Sequence, residues 1–116
     1  MDEDAELEAF YKEQEEMERA LPRIRATGVE ALKRLLPVAQ NDTGQSRVVA
    51  RFLLGLYNGR RFPFDLTDFR LLDHALFVDC MAVLKMDSQP LKEIHEFIDG
   101  GGAIWERLAQ TWDVRR

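Results

Sequence analysis

The stretch NDTGQSRVVARFLLGLYNG, Asn41 to Gly59, is a helix with both of its ends written into it. Asp42 or Thr43 can accept hydrogen bonds as an N-cap, with Gln45 or Ser46 three residues further on. Val48, Val49, Phe52, Leu53, Leu56 and Tyr57 then recur at helical spacing and form a broad apolar face. Arg47 and Arg51 stand one turn apart on the opposite stripe. Asn58-Gly59 supplies a stop, because glycine tolerates the left-handed conformation common at helix ends. So wide an apolar face has to be covered, and both flanks of this segment carry further helical patterns.

Downstream, Arg60 to Phe64 is held extended by Pro63. Asp65 or Thr67 is expected to cap a long helix over residues 66–86. From Ala75 to Leu84 that segment is apolar on every side except at Asp79, the pattern of a buried, central helix. A carboxylate there needs a partner, and Arg47, Arg51 or Arg70 could form a bidentate pair with it. Asp87-Ser88-Gln89-Pro90 reads as the start of another helix, with Leu91, Ile94, Phe97 and Ile98 facing the core. Asp99-Gly100-Gly101-Gly102 breaks the chain. A last helix carries Ile104, Trp105, Leu108 and Trp112 on one stripe.

Upstream, Thr27-Gly28-Val29-Glu30 has the form of a capping box. It is followed by Val29, Leu32, Leu35 and Leu36 on one face, with Pro37 near the end. Before it, Leu7, Phe10, Gln14, Met17, Leu21 and Ile24 alternate by three and four residues and form one seam. Pro22 is expected to end or kink that first helix near Ala20. Two heptads are short for a coiled coil, so the seam is expected to pack on the rest of the chain or to pair with a second copy. No segment alternates with the period of a strand. The expected fold is all-α: a compact bundle of five to six helices over residues 26–116, preceded by an acidic helical arm over 1–25.

Charge separates these two parts. The chain holds 21 acids and 16 bases in 116 residues, a net charge of −5. Nine of the acids lie in the arm: Asp2, Glu3, Asp4, Glu6, Glu8, Glu13, Glu15, Glu16 and Glu18. Against them stand Lys12, Arg19, Arg23 and Arg25, so the arm carries the whole imbalance and the rest is neutral. Those nine carboxylates are the expected partner-binding residues, suited to a basic surface. Arg47, Arg51, Arg60, Arg61 and Arg70 form an alternative surface, for nucleic acid backbone. A nucleic-acid module is usually basic overall, so direct nucleic-acid binding is the weaker expectation.

Other chemistries lack their residues. His74, His95 and Cys80 are too few and too scattered for a zinc site. Cys80 sits mid-helix among apolar neighbours, where a thiol stays protonated and inert. Thr43 to Ser46 and Asp99 to Gly102 each precede a helix, but neither matches a phosphate-binding loop, and Asp42 and Asp99 would repel an anion. No cofactor and no catalytic residue is expected. A single cysteine, no apolar run long enough to span a membrane, and an acidic rather than basic Met1 to Glu8 lead to the expectation of a cytoplasmic protein.

The residues Asn41-Asp42-Thr43-Gly44-Gln45-Ser46-Arg47, Phe52-Leu53-Leu54, Phe64-Asp65-Leu66-Thr67-Asp68 and Asp73 resemble a family of short, uncharacterised bacterial proteins carried on plasmids and integrative elements. The resemblance covers roughly residues 30–85. It implies no activity or cofactor, but it does imply a setting among the accessory genes of mobile DNA. In that setting the expected role is a non-enzymatic interaction protein. It would bind and modulate or inhibit a host protein or nucleoprotein complex, as anti-CRISPR proteins do. The alternative is a DNA-associated accessory or regulatory protein that uses the arginine surface.

Overall fold

The computed structural model describes residues 2–112. The last part of the expected 26–116 domain, residues 113–116, lies outside the described residues. Four α-helices and two short 3-10 turns make up the structure, and no strand occurs among the described residues. The all-α architecture anticipated above is therefore the one observed.

The first helix, α1, runs unbroken from Glu3 to Ala39 and passes through both Pro22 and Pro37. At ~1.5 Å per residue, 37 residues span ~55 Å, which matches the longest dimension of the molecule, 55 Å. Asp2 caps it by accepting from the Asp4 amide at 3.0 Å. Acids in the first turn suit the positive end of the helix dipole. The expected break at Pro22 does not occur, and Thr27-Gly28-Val29-Glu30 is helix interior rather than a cap. A proline removes a single backbone donor. Here strong helix formers from Glu13 to Ala20 propagate the helix up to it, and Pro22 lies on an exposed face.

The second helix, α2 (Gly44–Tyr57), begins as expected. Thr43 Oγ1 accepts from the Ser46 amide at 3.0 Å and lies 2.7 Å from the Ser46 hydroxyl. Its end differs from expectation. Asn58 is extended rather than followed by a left-handed glycine. Asn58 Oδ1 instead accepts from the amides of Arg60 and Arg61, both at 3.1 Å.

The single helix expected over residues 66–86 is two pieces: a 3-10 turn, Leu66–Leu71, and α3, His74–Asp87. Asp65 caps the first, accepting from the Thr67 amide and hydroxyl. Asp73 caps the second, accepting from Leu76 N at 2.9 Å. The break has a packing reason as well. It lets the Phe69 ring sit among Phe52, Phe64 and Phe77, with ring centroids 4.8–5.7 Å from it in tilted and edge-on contacts.

The central helix is α2, not α3. Val48, Val49, Ala50, Phe52, Leu53 and Leu54 are all buried. On α3 only Cys80, Val83 and Met86 are buried, while Phe77, Val78 and Leu84 remain 36–48% exposed. The α3 helix lies along α1 at the edge of the body, so one of its apolar sides meets solvent. The segment after Pro90 forms only the 3-10 turn Ile94–Phe97, and Leu91 is exposed rather than in the core.

The last helix, α4 (Gly101–Thr111), starts from Gly100 in the left-handed conformation, φ 69°. Gly101 lies so close to the His95 carbonyl that a Cβ there would sit 1.7 Å from its oxygen. Trp105 is fully buried and its indole N–H donates to the Leu53 carbonyl at 3.1 Å. Trp112 donates to the Ala39 carbonyl at 2.8 Å, fastening α4 to the end of α1.

Candidate functional site

The nine arm carboxylates all lie on the projecting half of α1, where every residue from Asp2 to Arg19 is exposed. Among the described residues no lysine or arginine of the body comes within ion-pair distance of them. The one contact is within the arm, Glu15 to Arg19 at 4.0 Å, both side chains 70% exposed. The seam is likewise uncovered: Leu7, Phe10 and Met17 are 52%, 53% and 39% exposed. The expectation that this seam packs on the rest of the chain is not met for these three residues. Leu21 and Ile24 are half-buried, at the point where the helix reaches the body.

The five arginines of the alternative surface are partly used up internally. Arg47 lies 3.8 Å from Asp68. Arg61 makes a two-pronged contact with Glu106, at 2.8 and 3.2 Å. Arg51 is half-buried, whereas Arg60 and Arg70 are exposed. Two of the five are therefore matched by a carboxylate, which lowers the local positive potential.

Asp79 has a partner, but not an expected one. Arg34 of α1 grips it with two hydrogen bonds, 2.9 and 3.0 Å. The carboxylate is largely covered and the guanidinium 59% exposed. The pair ties α3 to α1, and none of Arg47, Arg51 or Arg70 takes part. Close by, burial pushes the Cys80 thiol up to about 12, with the Asp79 charge adding to it, so the thiol stays protonated.

One polar cluster could not be anticipated. Glu106 of α4 accepts from the Tyr57 hydroxyl at 2.6 Å as well as from Arg61, and the Tyr57 ring stands edge-on to His95 at 5.1 Å. The hydrogen bonds from Arg61 first, and then from Tyr57, hold Glu106 down at about 2, from an ordinary 4.5. The lowered value means that the ionised form favours the fold above about 4.5. That contribution is lost as the pH falls from 4.5 toward 2. Melting temperatures between pH 6 and pH 2 test this. The native chain is expected to exceed Glu106→Gln at neutral pH, and the gap is expected to close in acid. A gap of constant size across the range contradicts it.

The residues that carry the family resemblance turn out to clasp one another. Gln45 Oε1 accepts from the Asp73 amide at 2.6 Å, and Arg47 meets Asp68. The start of α2 is thereby fastened to the 3-10 turn and to the cap of α3. Thr43, Asp65 and Asp73 are caps. Thr43, Gln45, Ser46, Arg47, Asp65, Asp68 and Asp73 thus build the fold, with side chains engaged by other residues of the chain.

No three His, Cys, Asp or Glu side chains come together in a metal-binding arrangement among the described residues. An apolar groove of about 220 Å³ runs between Phe52, Phe62, Phe64, Leu66 and Leu84, without convergent polar groups. No helix among the described residues is long and apolar enough to cross a membrane. The chain belongs to a family of unknown function, DUF7673, whose model matches residues 29–113 and so leaves the whole arm, residues 1–25, outside the match. No curated protein and no solved structure matches the chain.

Proposed function

We propose that this member of a family without an assigned activity is a non-enzymatic interaction protein. It binds a host protein or nucleoprotein complex through a basic surface on that partner, and so modulates or inhibits it. Carriage on a mobile element, and an anti-CRISPR-like mode of action, belong to the same proposal and rest on the resemblance of the motif residues.

The observation that supports it best is the state of the arm. Its nine carboxylates are exposed, unmatched by the body and carried on a helix continuous with the core. A helix rooted in a packed body holds charges at set spacings, whereas a loose tail would lose conformational freedom on binding. Opposite charge on a partner's groove speeds association, and such an attraction weakens with salt.

A variant with Glu13, Glu15, Glu16 and Glu18 all changed to Gln keeps helix-forming residues and removes charge. Affinity purification from the host cell is expected to recover a basic partner with the native chain at low salt. The yield is expected to fall at least tenfold with the variant, and likewise at high salt. Recovery of the same partner by the variant at both salt concentrations overturns the proposal.

A further inference from the structure

We infer that the arm's apolar seam is a docking strip for one basic amphipathic helix of a partner protein. Leu7, Phe10 and Met17 are its apolar anchors, and the carboxylates along its two edges hold the partner's Lys or Arg side chains. The inference rests on the reading above, that the arm meets a basic partner, and specifies which arm residues make the contact and what they touch.

The width of the stripe selects a single helix. Leu7, Phe10, Gln14, Met17 and Leu21 repeat strictly by three and four residues, the narrow seam that one partner helix covers by knobs-into-holes packing. A helix packed on a broad surface shows a wider apolar face, as α2 does. Leu7, Phe10 and Met17 are exposed, whereas Leu21 is half-buried. The free strip therefore runs from Leu7 to Met17, ~15 Å along the helix. Gln14 in its middle is polar, and a polar core position fixes the register against a polar residue opposite.

Charge selects the chemistry of that helix. At ~100° per residue, Glu6 and Glu13 line one edge of the strip, and Asp4 and Glu18 line the other with Tyr11 between them. Lys12 and Arg19 fall on the back of the helix, where Arg19 meets Glu15 at 4.0 Å. The only charges along both edges of the free strip are therefore carboxylates, and the bases are kept behind. Arg25 is the one base at an edge position, and it lies past Leu21, where the stripe is already half-buried. A second copy laid on the free strip sets acid against acid in either direction. Glu13 meets the copy's Glu18 in a parallel pair and the copy's Glu13 in an antiparallel one. Nucleic acid backbone is repelled in the same way. A helix whose apolar stripe is edged by Lys or Arg makes attractive pairs along both edges.

The probe is a fluorescent synthetic helix of three heptads, with Leu and Ile at its core positions except for one Asn, and Lys at every flanking position. Titrated into the full chain and followed by anisotropy, it is expected to bind at low salt. Phe10→Gln/Met17→Gln is expected to weaken binding at least tenfold, and so is Glu6→Gln/Glu13→Gln/Glu18→Gln. Glu8→Gln/Glu15→Gln/Glu16→Gln removes the same charge from outside the strip and is expected to change binding less than twofold. Glutamine is a good helix former, and an unchanged melting curve for the body shows that each variant folds. An equal loss from the edge and outer variants overturns the inference, since net charge alone would then account for binding; the basic-partner reading survives that result. A native chain that does not bind the probe overturns it, as does equal binding of a probe with Ser at its core positions. So does a different occupant: a dimer in sedimentation equilibrium, or uptake by phosphatidylcholine vesicles, that Phe10→Gln/Met17→Gln abolishes.

Discussion

Trp105→Ala is expected to destabilise the chain by about 3–5 kcal/mol, the usual cost of emptying a large buried aromatic site. Total stabilities of small domains are about 5–15 kcal/mol, so this one change consumes a large share. Trp105 is 0% exposed and is the largest fully buried side chain. It lies where α4 meets α2, and its indole N–H donates to the Leu53 carbonyl. Removing it opens a void between α2 and α4 and strips α4 of its main anchor. Trp105→Phe keeps most of the ring and loses the donor, so a smaller loss of about 1–2 kcal/mol is expected. Urea unfolding followed by circular dichroism separates the two. Equal losses would mean that the hydrogen bond, rather than the ring's volume, holds α4 in place.

Gly28→Leu is expected to cost about 3 kcal/mol by overpacking. A Cβ at position 28 would lie 2.6 Å from Met86 Cβ and 2.7 Å from Met86 Sδ. The first of these atoms is attached directly to the backbone of α3, so the two helices must separate to admit even a methyl group. Gly28→Ala tests the cause through its sign. Helix propensity alone favours alanine over glycine by about 1 kcal/mol, so without the contact the substitution would raise stability. With the contact it is expected to lower it. Thermal melts of the native chain and both variants decide, and a stabilised Gly28→Ala would contradict the close approach of α1 and α3.

Gly28 also illustrates why part of the fold was hidden. In sequence it follows Thr27 and precedes Glu30, which reads as a cap. In the structure it is the point where α3 touches α1. Local pattern cannot distinguish a glycine needed for its backbone from one needed for its missing side chain, because the second reason lies more than fifty residues away. The helix continues through Pro22 for a related reason. A proline's penalty is local, but whether a helix continues depends on what propagates it on either side.

The helical class, the start of α2 at Thr43, the cap at Asp65 and the neutrality of the body were all legible, since each rests on neighbouring residues, whereas the second cap at Asp73 was not. Asp79 was recognisable as needing a partner, yet Arg34 was not recognisable as that partner. Arg34 and Asp79 are brought together only by the packing of α1 on α3. The cluster of Tyr57, Arg61 and Glu106 is of the same kind, because its members meet only when α4 docks beside α2.

Residue order alone settled the things that short range decides: that the chain coils, where α2 begins, and that the acids gather at one end. Tertiary packing decided which helix lies at the centre, which charges cancel and which apolar stripe stays bare. The physical reason is that capping and helical periodicity act over a turn or two, whereas burial and ion pairing depend on distances set by the whole chain. The unpaired carboxylates and the open seam of the arm are visible only once it is known that the body reaches neither of them.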